Sequence, residues 1–204
     1  SVARKNIQAI RRSLESLFLF YEMRGLAKEG EVAFRRAAAA FGQATIVSPD
    51  TAQTIVLGQL LGRQGNMAIR TGRYDEGIKL MRQGVLLLRQ VEAEAKRELA
   101  WALCYLGEEI YFQGDYRQAQ QLLQESLQLA AKAGDDWLLG VIWQCLGQTA
   151  EFQGDYTEAE PYFQKSLGAY EKLGERRAKA FTQNNWGRVA YAVGEYARAE
   201  QLIS

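Results

Sequence analysis

The sequence predicts an all-α fold, a solenoid of antiparallel helix pairs, and three observations predict it. Only two prolines, Pro49 and Pro161, interrupt 204 residues rich in Ala, Leu, Gln, Glu and Arg, so long helices can run unbroken. The pentapeptide Phe-Gln-Gly-Asp-Tyr stands at Phe112 to Tyr116 and again at Phe152 to Tyr156, 40 residues on. Glycine recurs in that register at Gly25, Gly72, Gly114, Gly154 and Gly194, and five residues after each comes a very small residue: Gly30, Gly77, Ala119, Ala159 or Ala199.

Each marker glycine belongs in the turn between two helices, where a left-handed backbone is easiest for Gly. The small residue that follows lets the two helices approach closely. Nine residues after each marker a large apolar residue, Phe34, Met81, Leu123, Phe163 or Ile203, falls about one helical turn further along the same face. Seven residues before the marker, Gly65, Gly107, Gly147 and Gly187 let the first helix nestle against the second.

The first helix pair is therefore expected near 6–24 and 27–42, the second near 53–71 and 74–91, and the third near 94–112 and 116–133. The fourth is expected near 137–152 and 156–172, and the fifth at 177–192 followed by a stub from 196. Asp115 and Asp155 are natural N-caps, with Gln118 and Glu158 placed three residues on as in a capping box. Tyr74, Tyr116, Tyr156 and Tyr196 cover the turns, and Pro161 falls early in its helix, at a position open to a kink. The stretch from Gly42 to Gln53, with Ser48-Pro49-Asp50 inside it, reads as the one real loop. This register makes residues 1–204 a single domain of five units, near 6–42, 53–91, 94–133, 137–172 and 177–204, the last cut short.

Trp143-x-x-Leu146-Gly147, followed by Gly154, Tyr156, Ala159 and Phe163, resembles the tetratricopeptide repeat signature. The period is mostly 40 residues, longer than the family's roughly 34, and no proline closes each unit. In the first unit Phe18 and Ala27 replace the usual glycine and aromatic. The resemblance implies a right-handed superhelix whose concave surface, lined mainly by the first helix of each pair, holds another polypeptide.

Projected in register, the inward positions are Gln59, Asn66 and Arg70 in unit two and Trp101, Glu108, Tyr111 and Phe112 in unit three. Unit four supplies Gln144, Gln148 and Phe152, and unit five Phe181, Asn184, Arg188 and Tyr191. Aromatics interspersed with amides and a guanidinium suit a peptide groove, because rings bury area while polar groups hold backbone. Trp101 and Phe112 fit packing between units equally well. Asn185, in the run Asn184-Asn185-Trp186-Gly187, resembles repeats in which an inward Asn bonds a bound peptide's backbone. The paired lysines of the family's chaperone-tail clamp are missing, so a chaperone C-terminal tail is not the expected ligand.

No histidine occurs, and Cys104 and Cys145 are the only cysteines. That removes the usual zinc sets and the Ser-His and Cys-His nucleophile pairs, so no metal, cofactor or catalytic residue is expected and Glu108 and Glu109 read as helix-face polarity. The cysteines read as packing residues. A formal charge of +1 without a long block of one sign disfavours nucleic-acid binding, and Arg4, Lys5, Arg11 and Arg12 read as a solvated face. The longest strongly apolar run, Leu17 to Tyr21, is far below the roughly 20 residues of a membrane span, so a cytoplasmic protein is expected.

Asn6-Ile7-Gln8-Ala9-Ile10, continuing to Tyr21-x-x-Arg24-Gly25-x-x-x-Glu29-Gly30, resembles the start of the sensor region in bacterial STAND-class signal-transduction ATPases and transcription regulators. That resemblance implies an upstream nucleotide-binding domain and makes the chain a segment of a longer protein. The expected partner is a protein, a peptide or the parent's own domains, and the short last unit invites self-association. The alternative is a free-standing adaptor that assembles protein complexes.

Overall fold

The computed structural model describes the backbone of residues 2–47 and 50–204, and the side chains of residues 9–11, 13–42 and 50–204. Among them lie ten helices and no strand. The helices are α1 (Val2–Met23), α2 (Ala27–Val47), α3 (Thr51–Arg70), α4 (Tyr74–Gln90), α5 (Glu92–Phe112), α6 (Tyr116–Ala133), α7 (Asp136–Gln153), α8 (Tyr156–Leu173), α9 (Arg176–Ala192) and α10 (Tyr196–Ile203). The chain gathers into two compact units, Ser1–Leu106 and Gly107–Ser204, and α5 runs through the boundary.

All five marker glycines have positive φ, between 67° at Gly25 and 86° at Gly72 and Gly114, so the turns fall where the spacing puts them. Gly134 and Gly174 adopt the same conformation outside that register and end α6 and α8. Asp115, Asp135 and Asp155 each accept the N–H three residues on at 3.0 Å, capping α6, α7 and α8. The Glu158 carboxylate accepts from the Tyr162 hydroxyl at 3.3 Å and from the Gln120 amide at 3.4 Å.

The expected loop from 42 to 53 is largely helix. α2 continues to Val47, because Gln43 to Val47 contains no Gly or Pro to stop it, and α3 already begins at Thr51. Ser48 and Pro49 lie outside the described residues. Asp50 accepts the Ala52 N–H at 3.3 Å and starts α3. α5 departs from helical geometry at Ala95 (φ −118°, ψ 18°), while α8 runs through Pro161.

In the first unit, Leu14, Phe18, Phe34, Ala38, Val56, Leu60 and Met67 form the core. The backbones of α3 and α4 touch through glycine: a Cβ on Gly65 would stand 2.5 Å from the Gly77 carbonyl, and one on Gly84 2.6 Å from that of Gly58. In α1 the register residue is Phe18, which packs on Phe34 with ring centroids 6.4 Å apart, so this pair crosses on side chains. In the second unit, Ala150, Ala159, Phe163, Trp186 and Val189 form a core cluster, and Phe163 and Ile203 cover Gly147 and Gly187. Ile203 nonetheless keeps 56% of its surface exposed. Cys104 and Cys145 are buried and not joined in a disulfide.

Candidate ligand-binding surfaces

A cavity of about 380 Å³ opens in the first unit among α1, α3, α4 and α5. Its aromatic wall is Phe18, Tyr105 and Trp101, with centroid separations of 5.7 Å and 5.3 Å. Its charged wall is built by two long-range ion pairs, Arg63 with Glu15 and Arg11 with Glu98. Arg63 also lies over the Phe18 ring, 5.5 Å from its centroid. The Tyr105 hydroxyl donates to Glu15 at 3.4 Å, and burial, then the Glu15 carboxylate, push its pKa well up. Arg11, expected on a solvated face, is instead a half-buried member of this cluster, because Glu98 reaches it from α5. The side chains of Arg4, Lys5 and Arg12, assigned to the same face, lie outside the described residues.

The second unit carries exposed aromatics. Phe112 and Phe152 are 62% and 53% exposed, and both lean on buried Tyr111, with centroids 4.7 Å and 5.2 Å away. Tyr116 closes the group 6.3 Å from Phe152. Tyr191 is exposed against Tyr196 at 5.2 Å, and Phe181 is exposed on the same helix. Beside Tyr111 the Arg188 guanidinium forks onto Glu151, with contacts of 2.9 Å and 2.7 Å from Nη2 and 3.1 Å from Nε. That hydrogen bonding pushes Arg188 up, while burial, then Glu151, pushes Tyr111 up.

The other expected groove residues divide by burial. Gln59 and Trp101 line the first-unit cavity with Asn66, which is buried and accepts from Arg70 Nε at 3.0 Å, while Arg70 also pairs with Glu22. Glu108 and Gln148 are half-buried, and Asn184 is exposed. Gln144 accepts from the Thr182 hydroxyl at 3.0 Å, and Thr182 lies 3.2 Å from the hydroxyl of Ser166, which donates to the Gly140 carbonyl at 2.9 Å. That relay ties α7, α8 and α9 together, so Gln144 is held by the fold itself. Asn185 is 2% exposed and its amide nitrogen has no hydrogen-bond partner, which places it inside the helix packing. Sequence reasoning missed Arg63, Glu98 and Tyr105. Each stands three or four residues from an inward position on its helix, and that spacing was the available signal.

Residues 56–132 and 138–203 match the tetratricopeptide repeat (TPR) family. The chain belongs to that family. Solved structures share its fold. BtubC (BKLC) from P. vanneervenii aligns with TM-score 0.72 and 15% identity, over 86% of this chain and 70% of that one. A Podosopora anserina putative kinesin light chain with nearly identical TPR-like repeats aligns with TM-score 0.68 and 17% identity, over 94% and 90%. Pseudomonas Aeruginosa pilF aligns with TM-score 0.64 and 19% identity, over 97% and 75%. At these identities the likeness is one of fold. No curated protein matches the sequence. The TPR fold is that of a protein-interaction module, and no helix among the described residues is long and apolar enough to cross a membrane.

Proposed function

We propose that this TPR chain is a non-catalytic protein- or peptide-binding module and that it serves as the sensor or regulatory arm of a larger bacterial signalling or transcription-regulating ATPase in the cytoplasm. The observation that supports binding is the pair Phe112 and Phe152, more than half exposed yet held in place by ring contacts to buried Tyr111. Rings ordered before a partner arrives lose little entropy on binding, and covering the exposed half or so of each contributes on the order of 1 to 2 kcal/mol. Gln148, Asn184 and Arg188 supply the polar contacts that fix a peptide backbone, and residues 1–204 act as one domain in this role. The opening motif from Asn6 to Gly30 supports the regulatory arm, whose groove would take up a peptide or the parent's own domains.

Random peptides displayed against the immobilised chain test the binding reading. Wild type should enrich related peptides, and the double variant Phe112→Ser/Phe152→Ser should lose them while keeping the circular dichroism spectrum of the folded wild type. A wild-type chain that enriches no family of peptides sinks it. The regulatory reading is tested on the gene: a nucleotide-binding domain encoded ahead of residue 1 supports it, and a full-length product little longer than this chain favours the adaptor.

A further inference from the structure

We propose that the aromatic surface of the second unit selects basic peptides, in which Lys or Arg stands next to apolar side chains, an inference that rests on the peptide-binding reading of that surface. The turns at Gly114, Gly154 and Gly194 lie side by side along one edge of the unit, joined by the rings of Tyr116 and Phe152 and by the ion pairs of Arg188 with Glu151 and Arg198 with Glu160. Negative charge is concentrated on that edge. Within six residues of those three glycines stand nine Asp and Glu against three Arg, whereas the rest of residues 107–204 carries five acidic and six basic side chains.

Two of the three guanidiniums are already taken. Arg188 is held by Glu151, and Arg198 by Glu160 and Glu195, which leaves Arg117, exposed beside Tyr116. Asp115 and Asp155 are also exposed, and each accepts one backbone N–H but pairs with no cation among the described residues. Asp115 adjoins Tyr116, whose ring meets Phe152, and Asp155 follows Phe152 by three residues, so each carboxylate stands within a turn of an exposed ring. A Lys or Arg of a bound peptide can lay its alkyl stem across Phe112 or Phe152 and bring its head group to one of these carboxylates. An acidic peptide would meet an edge that repels it. The whole chain carries only +1, so a preference for cations would come from this edge and not from bulk charge.

The charge of the displayed peptides that the immobilised chain enriches tests the proposal. Wild type should enrich peptides of net positive charge, with Lys or Arg next to aromatic or aliphatic residues. The most enriched peptide, made synthetically, should bind at least roughly tenfold more tightly than the same peptide carrying Gln at each Lys and Arg. Asp115→Asn/Asp155→Asn keeps a side-chain acceptor at both N-caps, and it should weaken the peptide by roughly tenfold and make the remaining affinity less sensitive to salt. Phe112→Ser/Phe152→Ser keeps every charge and should lose the peptide. Enrichment of neutral or acidic peptides, full affinity of the Gln peptide, or full affinity and salt sensitivity in the Asn variant overturns the basic selectivity and leaves the peptide-binding reading standing. Basic peptides held as tightly by the Ser variant as by wild type, or no peptide enriched at all, sink both.

Discussion

Phe163 fills the space that a side chain on Gly147 would need: a Cβ there would stand 2.8 Å from the Phe163 Cε1 and 2.9 Å from its Cζ. The same relation joins Gly65 to Met81, Gly107 to Leu123 and Gly187 to Ile203, and each pair is 16 residues apart in sequence. The antiparallel helix pair is thus locked one large side chain against one bare backbone, and the lock recurs from repeat to repeat.

Gly147→Ala is accordingly expected to destabilise the chain by about 1 to 3 kcal/mol, despite alanine's better helix propensity, because the fully buried Phe163 ring has nowhere to go. Gly168 lies in α8 with no heavy atom within 4 Å of an added Cβ. Gly168→Ala should therefore stabilise, by roughly 0.5 to 1 kcal/mol. Urea unfolding of both variants checks the pair of signs, and a shift of the same sign in both would refute the packing role of Gly147.

The helix pairs were legible because one constraint, a glycine facing a large residue, repeats in a fixed register that counting can find. The cavity was not. Arg63 meets Glu15 across 48 residues and Arg11 meets Glu98 across 87, and both pairs depend on how α1 sits against α3 and α5. In α1 the register glycine is Phe18, so the pattern that sets the phase of the later helices is missing there. Charged residues judged by type alone read as solvated, whereas Glu98 holds Arg11 half-buried. The end of α2 differs from the expected 42 for a simpler reason: a glycine weakens a helix without ending it, and α2 runs through Gly42 to Val47.

Arg188 and Glu151 form a bidentate pair whose arginine side chain is 47% exposed, so solvent screens much of its energy. A double-mutant cycle with Arg188→Met and Glu151→Gln should give a coupling of about 0.2 to 1 kcal/mol that shrinks in high salt. A coupling well above this range, unchanged by salt, would mean the pair behaves as buried.

Tyr105 makes stability depend on alkaline pH. Burial and the Glu15 carboxylate raise its folded-state pKa, so the unfolded chain gives up this proton first as pH climbs past about 10. The contribution is whole below that pH and is lost as pH rises through the folded pKa. Urea midpoints measured from about pH 8 to 11 should fall in wild type and fall less steeply in Tyr105→Phe, with some slope remaining from Tyr111, whose pKa is also raised. Identical slopes in the two proteins would show that Tyr105 titrates as freely folded as unfolded.

Helix α10 is the weakest element on physical grounds. Its eight residues fall below the roughly 12 to 15 that an isolated helix needs, and no side chain caps its start at Glu195. Of its side chains Ala199 alone is buried, whereas α8, with 18 residues, has Asp155 as its cap and buries Ala159, Phe163, Ser166, Ala169 and Tyr170. Opening α10 uncovers little apolar surface beyond Ala199, half-buried Leu202 and the Ile203 contact over Gly187. Its amides should therefore exchange with solvent by local fraying, orders of magnitude faster than those in the middle of α8. Protection in α10 equal to that in α8, in a chain shown to be monomeric by light scattering, would contradict this. The same protection appearing only as concentration rises would instead mark α10 and the face of α9 beneath it as a self-association surface.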